Sequence, residues 1–191
     1  MALTSPAPRV LADYAGRTVL AQIALIAGGA ALVGLSAQIA IPLPFTPVPL
    51  TLQTLAVLLV GASLGSLRGV ASMLLYVAAG LIGVPWFAQG SSGYSTASFG
   101  YVLGFILAAF IVGRLAEHGA SRTAARTVGL MVVGNIAIYA VGVTWLKFAI
   151  SVSWPEAIAL GVVPFVLGDI IKIAVAAGVL PLAWRGVQRL S

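Results

Sequence analysis

The sequence predicts an all-α integral membrane protein with six transmembrane helices, both termini in the cytoplasm and structured loops on the external side. Composition comes first. Hydrophobic residues make up 61% of the chain and charged residues 7%, and the mean hydropathy is +1.12. A soluble domain of 191 residues with these values could not cover itself with polar surface. The second observation is pattern: the apolar residues fall in long unbroken runs, not in the alternation of a transmembrane β-barrel. The third is the arginines. Arg9, Arg17, Arg68, Arg114, Arg122, Arg126, Arg185 and Arg189 all fall in segments that six crossings bring to one side, and the positive-inside rule makes that side cytoplasmic. The net charge of +6 is thereby accounted for by topology and lipid headgroups, and no nucleic-acid partner is implied.

Residues 1–17 read as a polar cytoplasmic arm carrying Pro6, Pro8, Arg9, Asp13 and Arg17, and 18–191 as a single membrane domain. The apolar run after the arm is too long for the core of a signal peptide. The first crossing is expected over about Thr18 to Ile41 and ends in Ile41-Pro42-Leu43-Pro44-Phe45-Thr46-Pro47-Val48-Pro49, where the prolines exclude helix. That loop is uncharged and apolar, which suits a segment packed over something. The second and third crossings, about Leu50 to Gly65 and Arg68 to Gly83, are short for a bilayer.

A second uncharged loop, Val84 to Ser98, is bracketed by Trp86, Phe87, Tyr94 and Phe99. The fourth crossing covers Phe99 to Leu115 and the fifth Thr127 to about Ile150, joined by the most polar connection of the chain. Ser153 and Pro155 suit the cap and first turn of a short surface helix. Pro164 then interrupts an overlong apolar run, so the sixth crossing begins near it and reaches Trp184 after about 21 residues, or ~31 Å.

The sixth crossing holds the feature hardest to explain by structure alone, Asp169 and Lys172, an acid and a base one turn apart in an apolar segment. A charge deep in a spanning helix costs ~2.5–3.5 kcal/mol on insertion scales, so such residues face a bundle interior or an aqueous pocket. The i,i+3 spacing lets the two satisfy one another, yet an apolar pair would be cheaper. Side by side they suit a neutral polar head with both N–H and C=O groups, or a zwitterion. On the expected topology Asp169 lies ~8 Å and Lys172 ~12 Å below the outer end of the helix, beneath the two aromatic loops.

Other polar residues admit two readings each. Gln53 and Asn135 either bind ligand or join helices; Tyr101 and Tyr139, like Tyr76, either line a site or pack with a bonded hydroxyl. Lys147 suits snorkelling at the outer end of its helix, and His118 suits solvation in the charged connection. The strings Gly61-Ala62-Ser63-Leu64-Gly65 and Gly90-Ser91-Ser92-Gly93 imitate a serine hydrolase, but no histidine lies in a spanning segment to act as base. There is no Walker A motif and no metal-ligand motif, and with no cysteine there are no disulfides. No catalytic or metal residues and no cofactor are therefore expected. Small residues in the first crossing, Ala27, Ala31 and Gly34 among them, would let a membrane partner approach closely.

Four blocks resemble the BioY family, the biotin-binding membrane subunits of energy-coupling-factor transporters. They are Ile41 to Leu55, Gly83-Val84-Pro85-Trp86-Phe87-Ala88-Gln89-Gly90, Gly100-Tyr101-Val102-Leu103-Gly104-Phe105, and Pro164 to Lys172. The resemblance implies a six-helix subunit of a bacterial or archaeal cytoplasmic membrane that captures biotin from outside and works with a transmembrane coupling subunit and ABC-type ATPases. It implies biotin contacts for Asp169 and Lys172, a lid around Phe45, Thr46 and Val48, and a pocket lined by Ala88, Gly90 and Ser91. Gln53, Tyr101, Asn135 and Tyr139 complete the expected binding set. Gln89 departs from the family, which commonly has glycine there. A self-sufficient secondary biotin carrier and an intramembrane serine hydrolase stand as alternatives.

Overall fold

The computed structural model describes residues 9–16 and 18–190; Pro6, Pro8 and Arg17 of the expected arm, and Ser191, lie outside the described residues. Within the arm, Leu11–Ala15 forms a 3-10 turn that sets Val10 and Ala12 into the core. Asp13 pairs with Arg68 at 3.0 Å, and Tyr14 meets Trp184 edge-on at 6.4 Å.

The chain forms α1 (Val19–Ala37), β1 (Ala40–Ile41), β2 (Leu50–Thr51), α2 (Gln53–Leu64), α3 (Ser66–Leu81), α4 (Phe99–Glu117), α5 (Ala124–Ala149), α6 (Trp154–Gly161) and α7 (Val166–Leu190). The first crossing stops short of Ile41 and the second starts after Leu50. Pro42 holds the preceding Ile41 extended, and the two ends pair as antiparallel strands, Ala40 with Thr51 and Ile41 with Leu50. This ladder closes the base of loop 42–49. α5 begins three residues earlier than expected because the Thr123 hydroxyl accepts from the Arg126 amide at 3.4 Å. Ser153 caps α6 as expected, accepting from the Glu156 amide. After Gly161 the chain passes through a 3-10 turn, Val163–Phe165, and enters α7, which continues beyond Trp184 and contains Pro181.

Among the described residues, four stretches are long and apolar enough to cross a membrane: Val19–Gln38, Phe99–Glu117, Ala124–Ala149 and Trp154–Arg189. α2 and α3, with 12 and 16 residues, would span only ~18 Å and ~24 Å as helices. α4 is the hub, packed against α2, α3 and α5. Close approach there depends on missing side chains. A Cβ on Gly104 would sit 2.9 Å from the Ile138 carbonyl, and one on Gly113 would sit 2.4 Å from the Ser66 amide. Gly61 and Gly100 likewise face Ala109 and Trp145, so these glycines serve packing inside the molecule.

On α1 the expected small-residue face divides. Ala27 and Ala31 are exposed, whereas Gly34 is buried and a Cβ there would lie 2.8 Å from the Trp86 ring. Gly34 therefore corrects the expectation of a docking face made by all three, because the 84–98 loop already covers it. Lys147 lies over the rings of Phe148 and Trp154, 4.5 Å and 5.4 Å from their centroids. His118 Nδ1 is 2.7 Å from the Arg114 carbonyl at the end of α4.

Candidate ligand-binding site

Pro164 stops α6 from running on, and the helix that restarts at Val166 carries Asp169 and Lys172 in its opening turns. Both are buried. Lys172 Nζ donates to Asp169 Oδ1 at 3.3 Å and, more closely, to Thr54 Oγ1 at 2.8 Å. The Tyr139 hydroxyl donates to the second oxygen, Asp169 Oδ2. Each charge is thus held by its opposite and by a hydroxyl from another helix. Because an ammonium has three N–H donors and a carboxylate several acceptor positions, Lys172 keeps one donor and Asp169 keeps acceptor capacity.

These groups line a cavity of about 600 Å³ counting its open mouth. Val48, Gln53 and Thr54 contribute from the first loop and α2. Phe87, Ala88, Ser91, Thr96 and Ser98 come from the 84–98 loop and its end, and Tyr101, Phe105, Tyr139 and Phe165 supply aromatic walls. Tyr101 also ties α4 to α6, donating to the Gly161 carbonyl at 2.9 Å.

Of the residues expected at the site, Asp169, Lys172, Val48, Gln53, Ala88, Ser91, Tyr101 and Tyr139 share this cavity. Four others do not line it. Phe45 is 60% exposed at the tip of its loop. Thr46 is turned into the fold, where its hydroxyl donates to the Leu160 carbonyl at 2.8 Å and fastens loop 42–49 to α6. Gly90 serves the backbone, with φ of +68°. Asn135 sits beyond Lys172, beside Leu58, Met131 and Ile173. Gln89 adopts φ of +60°, a left-handed conformation natural to glycine, which gives a backbone reason for glycine at that place in the family.

Sequence reasoning missed Thr54, the nearest partner of Lys172. Its one signal is a second polar residue directly after Gln53, which reads equally as the polar start of a helix. It also missed Thr96, Ser98, Phe105 and Phe165, which resemble ordinary loop and core residues until the helices are assembled. In the second serine string the Ser91 hydroxyl donates to the Ala88 carbonyl at 2.8 Å.

The BioY family model matches residues 9–189. The chain belongs to the BioY family. Among its BioY relatives, "Biotin transporter BioY2" of Lactococcus lactis subsp. cremoris is 39% identical over 158 residues, covering 81% of this chain and 85% of the relative. "Biotin transporter BioY" of Thermotoga maritima is 41% identical over 150 residues, covering 77% and 86%. A crystal structure described as the S-component for biotin from an ECF-type ABC transporter superposes with a TM-score of 0.79, covering 89% of this chain and 95% of its own. At 23% identity that likeness shows a shared fold.

Proposed function

We propose that this BioY protein is the biotin-binding membrane subunit of a vitamin uptake transporter in the cytoplasmic membrane of a bacterium or archaeon. The observation that carries the reading is the Asp169–Lys172 pair, neutral as a unit, held by Thr54 and Tyr139 at the floor of an aromatic cavity. A buried pair of this kind is a poor way to gain stability, but it supplies an acceptor and a donor side by side to a polar head. Biotin's ureido ring carries two N–H donors and a carbonyl. Asp169 accepts from the ureido N–H groups while the free N–H of Lys172 donates to the carbonyl or to the carboxylate. The thioether ring and the valeryl chain lie against Phe87, Tyr101, Phe105 and Phe165. The names of the relatives support the same ligand.

In this reading the chain crosses six times with both termini in the cytoplasm, as its arginines require. Loops 42–49 and 84–98 face outward and admit biotin. With no ATP-binding motif of its own, the chain hands its ligand across in company with a transmembrane coupling subunit and ABC-type ATPases. Ala27 and Ala31, the exposed small residues of α1, are where such a subunit can approach closely.

The test is direct. Purified protein should carry biotin detectable by mass spectrometry and bind it saturably after removal, and Asp169→Asn and Lys172→Ala should each abolish binding. Wild-type affinity in both folded variants would sink the assignment.

A further inference from the structure

The hydroxyl of Tyr76 links the ligand cavity to the root of the 84–98 loop. Tyr76 is fully buried in α3. Its oxygen accepts from Gln53 Nε2 at 2.6 Å and its O–H donates to the Trp86 carbonyl at 3.2 Å. The link is doubled, because Trp86 Nε1 donates back to the Tyr76 carbonyl at 3.0 Å. Gln53 stands in the cavity wall, its own carbonyl accepting from Thr51 Oγ1 at 3.2 Å. On the other side of the link, Phe87, Ala88 and Ser91, soon after Trp86, also line the cavity.

The loop has other ties: the Gly93 amide donates to the Gly80 carbonyl at 2.9 Å, Trp145 Nε1 to the Thr96 carbonyl at 3.3 Å and Gln38 Nε2 to the Phe87 carbonyl at 3.4 Å, but none of them reaches Gln53. The Tyr76 ring carries Trp86 and Phe87, with centroids 5.1 Å and 5.2 Å away. The two aromatic residues fill hollows left by Gly34 and Gly80, where a Cβ would lie 2.8 Å and 2.0 Å from their rings. Packing into a hollow fixes depth, whereas the hydroxyl fixes register by joining a helix side chain to one particular carbonyl. Gln38, which caps the end of α1, reaches the same Trp86 carbonyl at 3.2 Å, so one backbone atom joins the end of α1 to α3.

We propose that Tyr76 is a positioning residue of the binding site, its hydroxyl making Gln53 and the wall segment 87–91 move as one unit. The proposal rests on the biotin reading for its ligand but not for its mechanical content. Loss of the hydroxyl leaves the Gln53 amide without its buried partner and unties the wall from α2. A wall free to move apart from Gln53 releases ligand sooner, so the effect falls on dissociation.

Tyr76→Phe keeps the ring and its packing, and it is tested in two ways. In ligand-free protein, hydrogen–deuterium exchange at the loop amides of Phe87, Gly90 and Ser91, which bond within the loop at 3.0, 3.1 and 3.3 Å, should speed up about tenfold while the α4 and α5 amides do not change. With biotin, the dissociation rate should rise about tenfold and the association rate should change much less. Gln53→Leu, which cuts the link from the other end, should reproduce both effects and add little to Tyr76→Phe. Unchanged loop exchange overturns the proposal, as does exchange that speeds equally through α3, α4 and α5, which would make Tyr76 a packing residue. A wild-type protein that fails to bind biotin defeats the functional reading separately, and loop exchange then decides the proposal alone.

Discussion

Arg114 with Glu117 and Asp169 with Lys172 are both ion pairs spaced three residues apart on a helix, yet they do different work. The first is the shorter, 2.9 Å against 3.3 Å, and the more open, with side-chain exposures of 54% and 16% against 9% for Asp169 and 11% for Lys172. Water screens Arg114, so closeness confers little. Glu117 matters for another reason: its Oε1 accepts from the Ser66 amide and hydroxyl at 2.8 Å and 2.7 Å, capping the start of α3. In the buried pair the attraction is divided, since Lys172 lies nearer to Thr54 than to Asp169 and Tyr139 takes the other carboxylate oxygen. The comparison teaches that partners matter more than distance. On the proposed reading, a pair left slightly apart, with hydroxyls holding each member, has room to admit a third party.

The largest break in this comparison is Asp169→Asn. It strands the Lys172 ammonium, and thermal or denaturant unfolding in detergent should show a loss of about 3–5 kcal/mol together with loss of biotin binding. Replacing both members, Asp169→Leu with Lys172→Met, should recover most of that stability and none of the binding. Recovery of both would mean the pair is structural. Tyr139→Phe removes one donor and leaves the charges paired, so calorimetry should find biotin binding about tenfold weaker and stability lowered by ~1 kcal/mol. Arg114→Ala should change stability by less than about 0.5 kcal/mol and leave binding as it was.

The smallest effect belongs to Asp13 on the arm. Burial works against its ionisation, but the Arg9 and Val10 amides and the Arg68 guanidinium outweigh it and hold the carboxyl below the ordinary value of 3.8. A depressed folded pKa means that Asp13 stabilises the fold above the unfolded value and loses that contribution as pH falls through the folded one. Melting temperatures followed from pH 6 down to about pH 3 should therefore fall more steeply for wild type than for Asp13→Asn, the two curves lying furthest apart near pH 6 and converging below about pH 4.

The charged pair and the turn at Pro164 were legible in the sequence because each breaks a rule of its surroundings: charge in an apolar run, proline in a helical one. Helix ends were less so. The strands at 40–41 and 50–51 exist because two distant segments meet, and nothing within either segment announces it. Thr54 escaped notice because a hydroxyl at a helix start has an ordinary local use. Ala27, Ala31 and Gly34 look equivalent by spacing, and what separates them is an indole from residue 86, far along the chain. The site was readable where residues carry an energetic cost of their own and hidden where their meaning comes from a neighbour.

The hollows at Gly34 and Gly80 bear on how such a pocket could be reshaped. The wall at Phe87 stands where it does because two helices outside the cavity lack a side chain at these positions, leaving no room even for a methyl group. Pocket volume is thus set partly by residues that line nothing. An engineer seeking to admit a bulkier vitamin analogue would gain little by trimming the lining and more by first deciding how deeply positions 34 and 80 let the loop sink.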